Sequence, residues 1–511
     1  MDYMLNHEAL AASEVIYDGC QEQPVDLDIS LPDYCPDIQR ILKCQVYPRI
    51  TSRSITGDRL ELEGNYSVKI LYLDAGGLTV HCYENSQSFS AVIALKQSAD
   101  NAQIFAFTRV EYINCRATSP RRLDIHGSFS ACAKVTGQGE SEVISNIDGE
   151  DVEEQKSTLT LNKVVGFAQQ QFTVEEVLEL GQGKPPADNI IRSDAFAVLQ
   201  DYTVVANKLM VKGEICIKFV YSSNDNEAAP EVMEYAVPFN EMLDCDGITE
   251  NCIFNIQLNV VGMEAQIKND YSGDQTYFDV QVKVFANAAA YQNSDITMVT
   301  DAYSKQFELN ISSKQKNIDN VIEFISDTDI HKGSLALDDI PVSKIIDIWN
   351  EMSTVSADYS NAQINYKGKF NVCILALNTE GKPVYFERLI DFDYARPYQA
   401  KDDNIKCSAT MYVAGISYRI TGSGIDLKAE LRLSAGVYSQ YSLKVITDVS
   451  ADETKPRAQD KSAALSIYYA DAGESLWNIA REYCTSVNAI KLENDLTGEF
   501  VENRGMLLIP M

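Results

Sequence analysis

Basic residues are scarce in this chain of 511 residues: 43 Lys and Arg stand against 74 Asp and Glu, a formal net charge of −31. Such a surface repels phosphate backbones and anionic lipid, which argues against nucleic-acid and membrane-surface binding. Long apolar runs are missing as well. No stretch of 18 or more apolar residues occurs, so no membrane span is expected. The first residues, Met1 to Glu8, carry neither a basic nor an apolar leader segment, and a secretion signal is not expected. Histidine is rare too, at His7, His81, His126 and His331, with no metal-ligand spacing among them. Twelve cysteines are scattered without a C-x-x-C pair, and they read as reduced strand and core thiols.

Catalytic signatures are equally thin. Gly181-Gln182-Gly183-Lys184 is too short for a phosphate-binding loop and runs into Pro185-Pro186. No G-x-S-x-G elbow is present. The acidic run 147–155 does not keep the spacing of a calcium loop and reads as a solvated loop or linker. No catalytic site, no metal site and no cofactor are expected.

What the chain does contain is a repeat. Gly64, Gly213 and Gly368 each open an alternating segment: Tyr66/Val68/Ile70, Ile215/Ile217/Phe219 and Phe370/Val372/Ile374. Period two with β-branched and aromatic residues marks a strand with one buried face. About 27 residues before each glycine lies a proline followed by isoleucines, at Pro36, Pro186 and Pro341. After each comes an aspartate opening a further alternating strand, at Asp124, Asp279 and Asp426. Three markers in one order predict a mainly β chain of three tandem sandwich- or barrel-like modules, 1–165, 166–305 and 306–450. Each is long enough for its own core, and the modules are expected as separate domains in a row. Turns are expected at Asp74–Gly77 and Asn378–Gly381. Short helices are expected near Phe172–Leu180 and Ile318–Ile325. The three aspartates occupy the same place in separate modules, which points to strand-end hydrogen bonding and not to catalysis.

The tail differs. Residues 451–466 are small and polar and read as a flexible tether. Beyond them, 467–511 alternates strand, helix, helix, strand: Ile467–Ala470, a helix capped by Ser475 with Leu476, Ile479, Ala480 and Tyr483 on one face, a second capped by Ser486, and a final strand ending at Pro510.

Gly473-Glu474-Ser475-Leu476-Trp477-x-Ile479-Ala480, Tyr483, Val487, Ile490, Asn494 and Gly505-x-x-Leu508-Ile509-Pro510 resemble a LysM domain. The resemblance implies a small α+β (βααβ) fold with a shallow groove for peptidoglycan or chitin-like N-acetylglucosamine glycans. That groove would set Gly473, Glu474, Ser475 and Leu476 opposite Asn494, Asp495 and Leu496. Two positions depart from the family: the usual Asp-Thr pair is Glu474-Ser475, and Asp495 replaces a common proline. The module also holds seven acidic and three basic side chains, an unfavourable charge toward an anionic wall. Trp477 can wall this groove or fill the small core, with core the favoured reading.

Together with Leu31-Pro32-Asp33-Tyr34-Cys35-Pro36-Asp37-Ile38, the tandem modules resemble the SPOCS-repeat proteins of spore-forming Firmicutes. That resemblance implies a non-enzymatic scaffold of the spore coat, acting in the mother-cell cytoplasm at the forespore surface. It further implies that the LysM domain docks a coat-basement ATPase of the spore stage IV protein A type. The runner-up reading is a glycan-binding cell-wall or cortex protein.

Overall fold

The computed structural model describes residues 3–10, 13–96, 102–138, 142–223, 229–336, 342–402, 404–421, 424–457 and 464–510. It is mainly β, as expected, with two short helices among the described residues. The marker Pro341 and residues 458–463 of the expected tether lie outside these ranges.

One pairing scheme recurs three times. In the first third, β1 (Met4–Ala9) is followed by β2 (Ser13–Ser30), β3 (Ile38–Thr56), β4 (Arg59–Asp74), β5 (Val80–Ala94), β6 (Gln103–Ser119), β7 (Arg122–Gln138) and β8 (Glu142–Asp148). Here β3-β4-β5 form an antiparallel meander, and β2-β7-β6 form the facing sheet. The second third runs β9 (Val152–Glu179), β10 (Ala187–Val205), β11 (Lys208–Ser223), β12 (Glu231–Asp244), β13 (Ile253–Asn269) and β14 (Gln275–Ser304), pairing as β10-β11-β12 and β9-β14-β13. The last runs β15 (Phe307–Ala336), β16 (Val342–Trp349), β17 (Ser353–Ser360), β18 (Gln363–Asn378), β19 (Pro383–Pro397), β20 (Ile405–Thr421) and β21 (Gly424–Pro456). Its sheets are β15-β21-β20 and a meander in which β18 pairs with β16, β17 and β19.

The marker glycines have a common physical cause. Each lies on the middle strand of a meander, directly opposite a phenylalanine: Gly64 opposite Phe89, Gly213 opposite Phe239 and Gly368 opposite Phe392. A Cβ at Gly213 would stand 2.3 Å from the Val198 carbonyl oxygen and 2.7 Å from the Phe239 ring. At Gly64 and Gly368 the carbonyls of Arg49 and Thr354 and the rings of Phe89 and Phe392 make the same close approach. The aromatic ring covers the glycine and closes the core from that side. The expected turns are present, with Gly77 and Gly381 at φ of +69° and +77°, each donating its N–H back to Asp74 or Asn378.

Between the two sheets of each third the inward residues form a continuous core. In the second third Leu209, Val211, Ile215, Ile217 and Phe219 of β11 pack on Phe278, Val280, Val282 and Val284 of β14.

The expectation of domains in a row is corrected by what lies outside these cores. At the end of each middle strand both faces are buried. Leu71 and Leu73, Val220, and Cys373 and Leu375 form one apolar cluster with Ile191, Ile346 and Trp349. Sheet edges meet in cyclic order, β5 with β10, β12 with β16, and β19 with β3, so the thirds close a ring. A second shared core lies where β8, the end of β14 and the end of β21 meet one another. It gathers Tyr3, Ile144, Ile147, Val299, Ala302, Ile446 and Val449. Burying these faces against each other removes apolar surface that separate domains would expose.

Charge at the ring junction is uneven. Lys43, Arg192 and Asp347 are equivalent, each on the strand paired seven residues past its marker glycine, opposite Leu71, Val220 and Leu375. Arg192 Nη1 donates to Asp347 at 2.6 Å, Lys218 reaches the same carboxylate at 2.7 Å, and Arg192 also pairs with Asp194. The Arg192 guanidinium lies 4.4 Å from the Trp349 ring centre. Lys43 crosses to Glu387 at 2.6 Å and Glu351 at 3.4 Å. Burial would raise the Asp347 carboxyl, but Arg192 and Lys218 outweigh it and hold it below the ordinary carboxylate range.

Further expectations are corrected. All of Phe172–Leu180 but Leu180 belongs to β9, whose outer parity carries Val177 and whose inner parity carries Glu176, so alternation is masked. Ile318–Ile325 belongs to β15, where a bulge between Val321 and Glu323 inserts a residue and turns period two into an apparent helical spacing. The 165/166 boundary falls inside β9 and the 450/451 boundary inside β21, whereas 305/306 falls between β14 and β15. Residues 451–456 of the expected tether are strand, with Ala451 and Asp452 paired to Leu309 and Glu308. Of the acidic run 147–155, only 149–151 lie outside strands. Cys20 and Cys132, opposed on β2 and β7, form a disulfide, which corrects the reading of all twelve cysteines as reduced; the other ten are not disulfide-bonded. No described helix is long and apolar enough to cross a membrane.

Two outcomes check this packing. Gly213→Ala should cost about 1–3 kcal/mol by chemical denaturation, as overpacking does, while Gly415→Ala, with nothing within 4 Å of its added carbon, should be close to neutral. Asp347→Asn leaves Arg192 and Lys218 without their buried partner and should cost about 3–5 kcal/mol at neutral pH. A carboxyl held low in the fold adds stability above its unfolded value of about 3.9, and that part is lost as pH falls through the folded-state value. Acid titration of the wild type should show this loss, and the variant should lack it.

Candidate functional site

The C-terminal module comprises β22 (Leu465–Ala470), α1 (Leu476–Glu482), α2 (Val487–Glu493) and β23 (Gly505–Pro510), with β22 and β23 paired antiparallel. Its core is Ala470, Leu476, Trp477, Ile479, Ala480, Ile490, Val501, Leu507 and Ile509. Ser486 caps α2 by accepting from the Ala489 N–H at 3.0 Å. Ser475 stands at the N-cap of α1, but its hydroxyl makes no capping bond.

The two expected walls of the groove are built differently. Gly473, at φ +87°, turns the chain from β22 into α1, and its N–H donates to the Val501 carbonyl at 2.8 Å. The Val501 N–H donates to the Glu474 carbonyl at 2.9 Å, and the Leu476 N–H to that of Glu499 at 3.0 Å. Residues 473–476 are thus stitched to 499–501. Leu476 is fully buried and offers a ligand nothing. Asn494 is spent internally: its amide nitrogen donates to the carbonyls of Ile490 and Leu508 at 2.8 and 2.7 Å, and its oxygen accepts from the Leu508 N–H at 2.7 Å. It locks the end of α2 onto β23. Asp495 is exposed in the left-handed region at φ +52°, and the half-buried Leu496 packs on the module core. Of the expected groove, Ser475, Asp495 and Glu474 keep polar side-chain capacity among the described residues. One of the Glu474 carboxylate oxygens takes the Tyr468 hydroxyl at 3.4 Å, and the other is buried without a partner.

Sequence reasoning missed the apolar outer surface. Ile467 and Tyr469 on β22 and Met506 on β23 project from the sheet side opposite the module core, 57%, 77% and 54% exposed. Leu492 and Phe500 are exposed elsewhere on the module. The signal was present in Ile467-Tyr468-Tyr469-Ala470, which is apolar on both strand faces although one helical layer can cover only one. Acidic side chains at Asp471, Glu499 and Glu502 lie on the connecting segments.

The module is also not a free appendage. The Trp477 indole N–H donates to Asp301 at 3.0 Å, and the Arg481 guanidinium pairs with the same carboxylate. Tyr303 is buried in the module core, edge-on to Trp477 at 4.8 Å, and its hydroxyl donates to the Thr485 carbonyl at 2.7 Å. Burial pushes the Tyr303 phenol above its ordinary value. Arg457 Nη1 donates to the Arg481 carbonyl at 2.8 Å. Trp477 is therefore a core and docking residue, and the end of β14 supplies the seat.

Elsewhere, Asp124, Asp279 and Asp426 lie on β7, β14 and β21 in three separate sheets. Asp124 meets His126 and Arg116, and Asp279 lies 3.6 Å from Lys268. Glu351, Cys373 and Glu387 bring donor atoms within 4.8 Å of one another, but the Lys43 ammonium already stands between the two carboxylates. Burial pushes the Cys373 thiol far above its ordinary value, which disfavours a thiolate ligand.

The family described as SipL, SPOCS domain, matches residues 37–118 and again 186–268. Each match spans a meander and the strand after it, β3 to β6 and β10 to β13. These two segments resemble the SPOCS repeats of SipL, and the marker glycines Gly64 and Gly213 lie within them. No curated protein and no solved structure matches the chain.

Asp301→Ala should loosen the terminal module by about 1 kcal/mol, a charge-assisted bond at a partly exposed site. Limited proteolysis of the terminal module should quicken, while the thermal midpoint of the repeats stays unchanged.

Proposed function

We propose that this chain is a non-enzymatic scaffold of spore-coat morphogenesis. It works in the mother-cell cytoplasm at the forespore surface and holds other proteins in place there. The SPOCS matches support a role in sporulation and the spore coat. We divide the repeat region into three SPOCS-like modules, with boundaries near 150, 305 and 457, because β9 and β15 each begin a new copy of the pairing scheme.

The C-terminal module is read as a LysM domain that docks a protein, a coat-basement ATPase of the spore stage IV protein A type. The observation that carries this reading is the exposed face of Ile467, Tyr469 and Met506 on an acidic module. Apolar patches with charged surroundings suit protein interfaces, where aromatic anchors carry much of the binding energy. A glycan groove needs free polar groups, and Asn494 and Leu476 supply none. One observation favours the second reading, a peptidoglycan or N-acetylglucosamine binder: the unpartnered Glu474 oxygen could accept a sugar hydroxyl.

Affinity capture from sporulating cells with the full chain should retain the ATPase. Deleting 467–511, or substituting Tyr469→Asp, should lose it. An unchanged partner set would overturn docking through this module. Sedimentation with purified peptidoglycan checks the second reading, which requires retention that Glu474→Gln abolishes.

A further inference from the structure

A cavity of about 480 Å³ lies between the outer face of the first meander and strands β10 and β13. That volume is in the range of small-molecule sites, ~300–1,000 Å³. In a chain of net charge −31 its wall is unusual, for it gathers Arg49, Lys69, Arg192 and Lys283 against two carboxylates, Glu84 and Glu264.

Three of the four cations are accounted for. Lys69 pairs with Glu84 at 3.3 Å, Lys283 with Glu264 at 3.2 Å, and Arg192 with Asp347 at 2.6 Å. Arg49 makes no hydrogen bond or ion pair among the described residues. Burial pulls its guanidinium below the ordinary value, with Glu84 and Tyr47 opposing from a distance. A desolvated, unpaired cation costs free energy.

The fold does not require it. Arg49 lies opposite Asn65, one residue past its marker glycine. The equivalent positions, opposite Glu214 and Lys369, hold Val198 and Thr354. All three supply the same backbone carbonyl next to the glycine, so that structural task needs no charge. Beside Arg49 the cavity wall is hydroxyl-rich, with Thr51, Ser67 and Ser86 facing the same space. The Ser67 and Ser86 hydroxyls lie 2.6 Å apart.

We propose that this cavity binds a small hydroxylated anion, a phosphorylated or carboxylated sugar, with Arg49 taking the anionic group and the Thr51, Ser67 and Ser86 hydroxyls taking the sugar. Lys69 adds attraction from its pair with Glu84. Binding pairs the cation of this wall that the described residues leave unpaired, which repays its desolvation. This site is independent of the C-terminal module and of what that module docks.

The test is calorimetric titration of the full chain at low salt with glucose 6-phosphate and glucuronate. Glucose serves as the neutral control and inorganic phosphate as the bare anion. Saturable binding of a sugar anion is expected, with no heat from glucose and at least tenfold weaker binding in Arg49→Gln. Because Arg49 has no partner, Arg49→Gln should unfold at or above the wild-type temperature. No saturable binding by either sugar anion, or undiminished binding in Arg49→Gln, would overturn the proposal. A lower unfolding temperature in that variant would show a structural arginine and overturn it too. Inorganic phosphate binding as tightly as glucose 6-phosphate would overturn the sugar assignment.

Discussion

Three copies of one sandwich can close a ring only if the faces they turn toward the centre tolerate each other. The decisive position here is the one opposite Leu71, Val220 and Leu375, where the chain places Lys43, Arg192 and Asp347. Identical repeats would bring like charges to a junction that is also apolar, and desolvated like charges repel strongly. The third copy reverses the sign. Arg192 then finds a buried carboxylate, Lys218 shares it, and Lys43 turns to Glu387 and Glu351. Divergence among the repeats is thus a condition of their assembly. The apolar residues around the junction can be buried because the charges beside them are paired.

The same asymmetry lets the repeats carry different tasks. The glycine and its covering phenylalanine are kept in all three, since a carbonyl lies too close for any side chain. One position further along the ladder, Arg49, Val198 and Thr354 differ in charge and size without disturbing that contact. At the far end of β14, Asp301 and Tyr303 seat the C-terminal module. The repeats and the terminal module are therefore one connected structure, and under the docking role proposed above a partner would meet the module already oriented. A module fixed in orientation loses less freedom on binding than one on a flexible leash.

Strand identity was legible in the alternation after Gly64, Gly213 and Gly368, and so was the recurrence of one scheme. The ring was not. Leu71, Leu73 and Leu375 stand beside inward residues in runs such as Ile70-Leu71-Tyr72-Leu73, and a continuous apolar run does not say what its second face meets. The helix expected at Ile318–Ile325 came from a bulge that copies helical spacing. In the tail, the order strand, helix, helix, strand was readable from capping and periodicity. Asn494 was read as a ligand residue because a conspicuous polar side chain looks the same in sequence whether it faces solvent or locks α2 to β23. Trp477 illustrates the converse: its partners Asp301 and Tyr303 lie about 175 residues away, where no local pattern reaches.

Small-angle X-ray scattering of the full chain tests the closed ring most directly. Packing around shared cores predicts a radius of gyration of about 24 Å, the compact value for this length, and a distance distribution with a single maximum. A markedly larger radius with separate maxima for neighbouring units would contradict it and restore a string of independent domains.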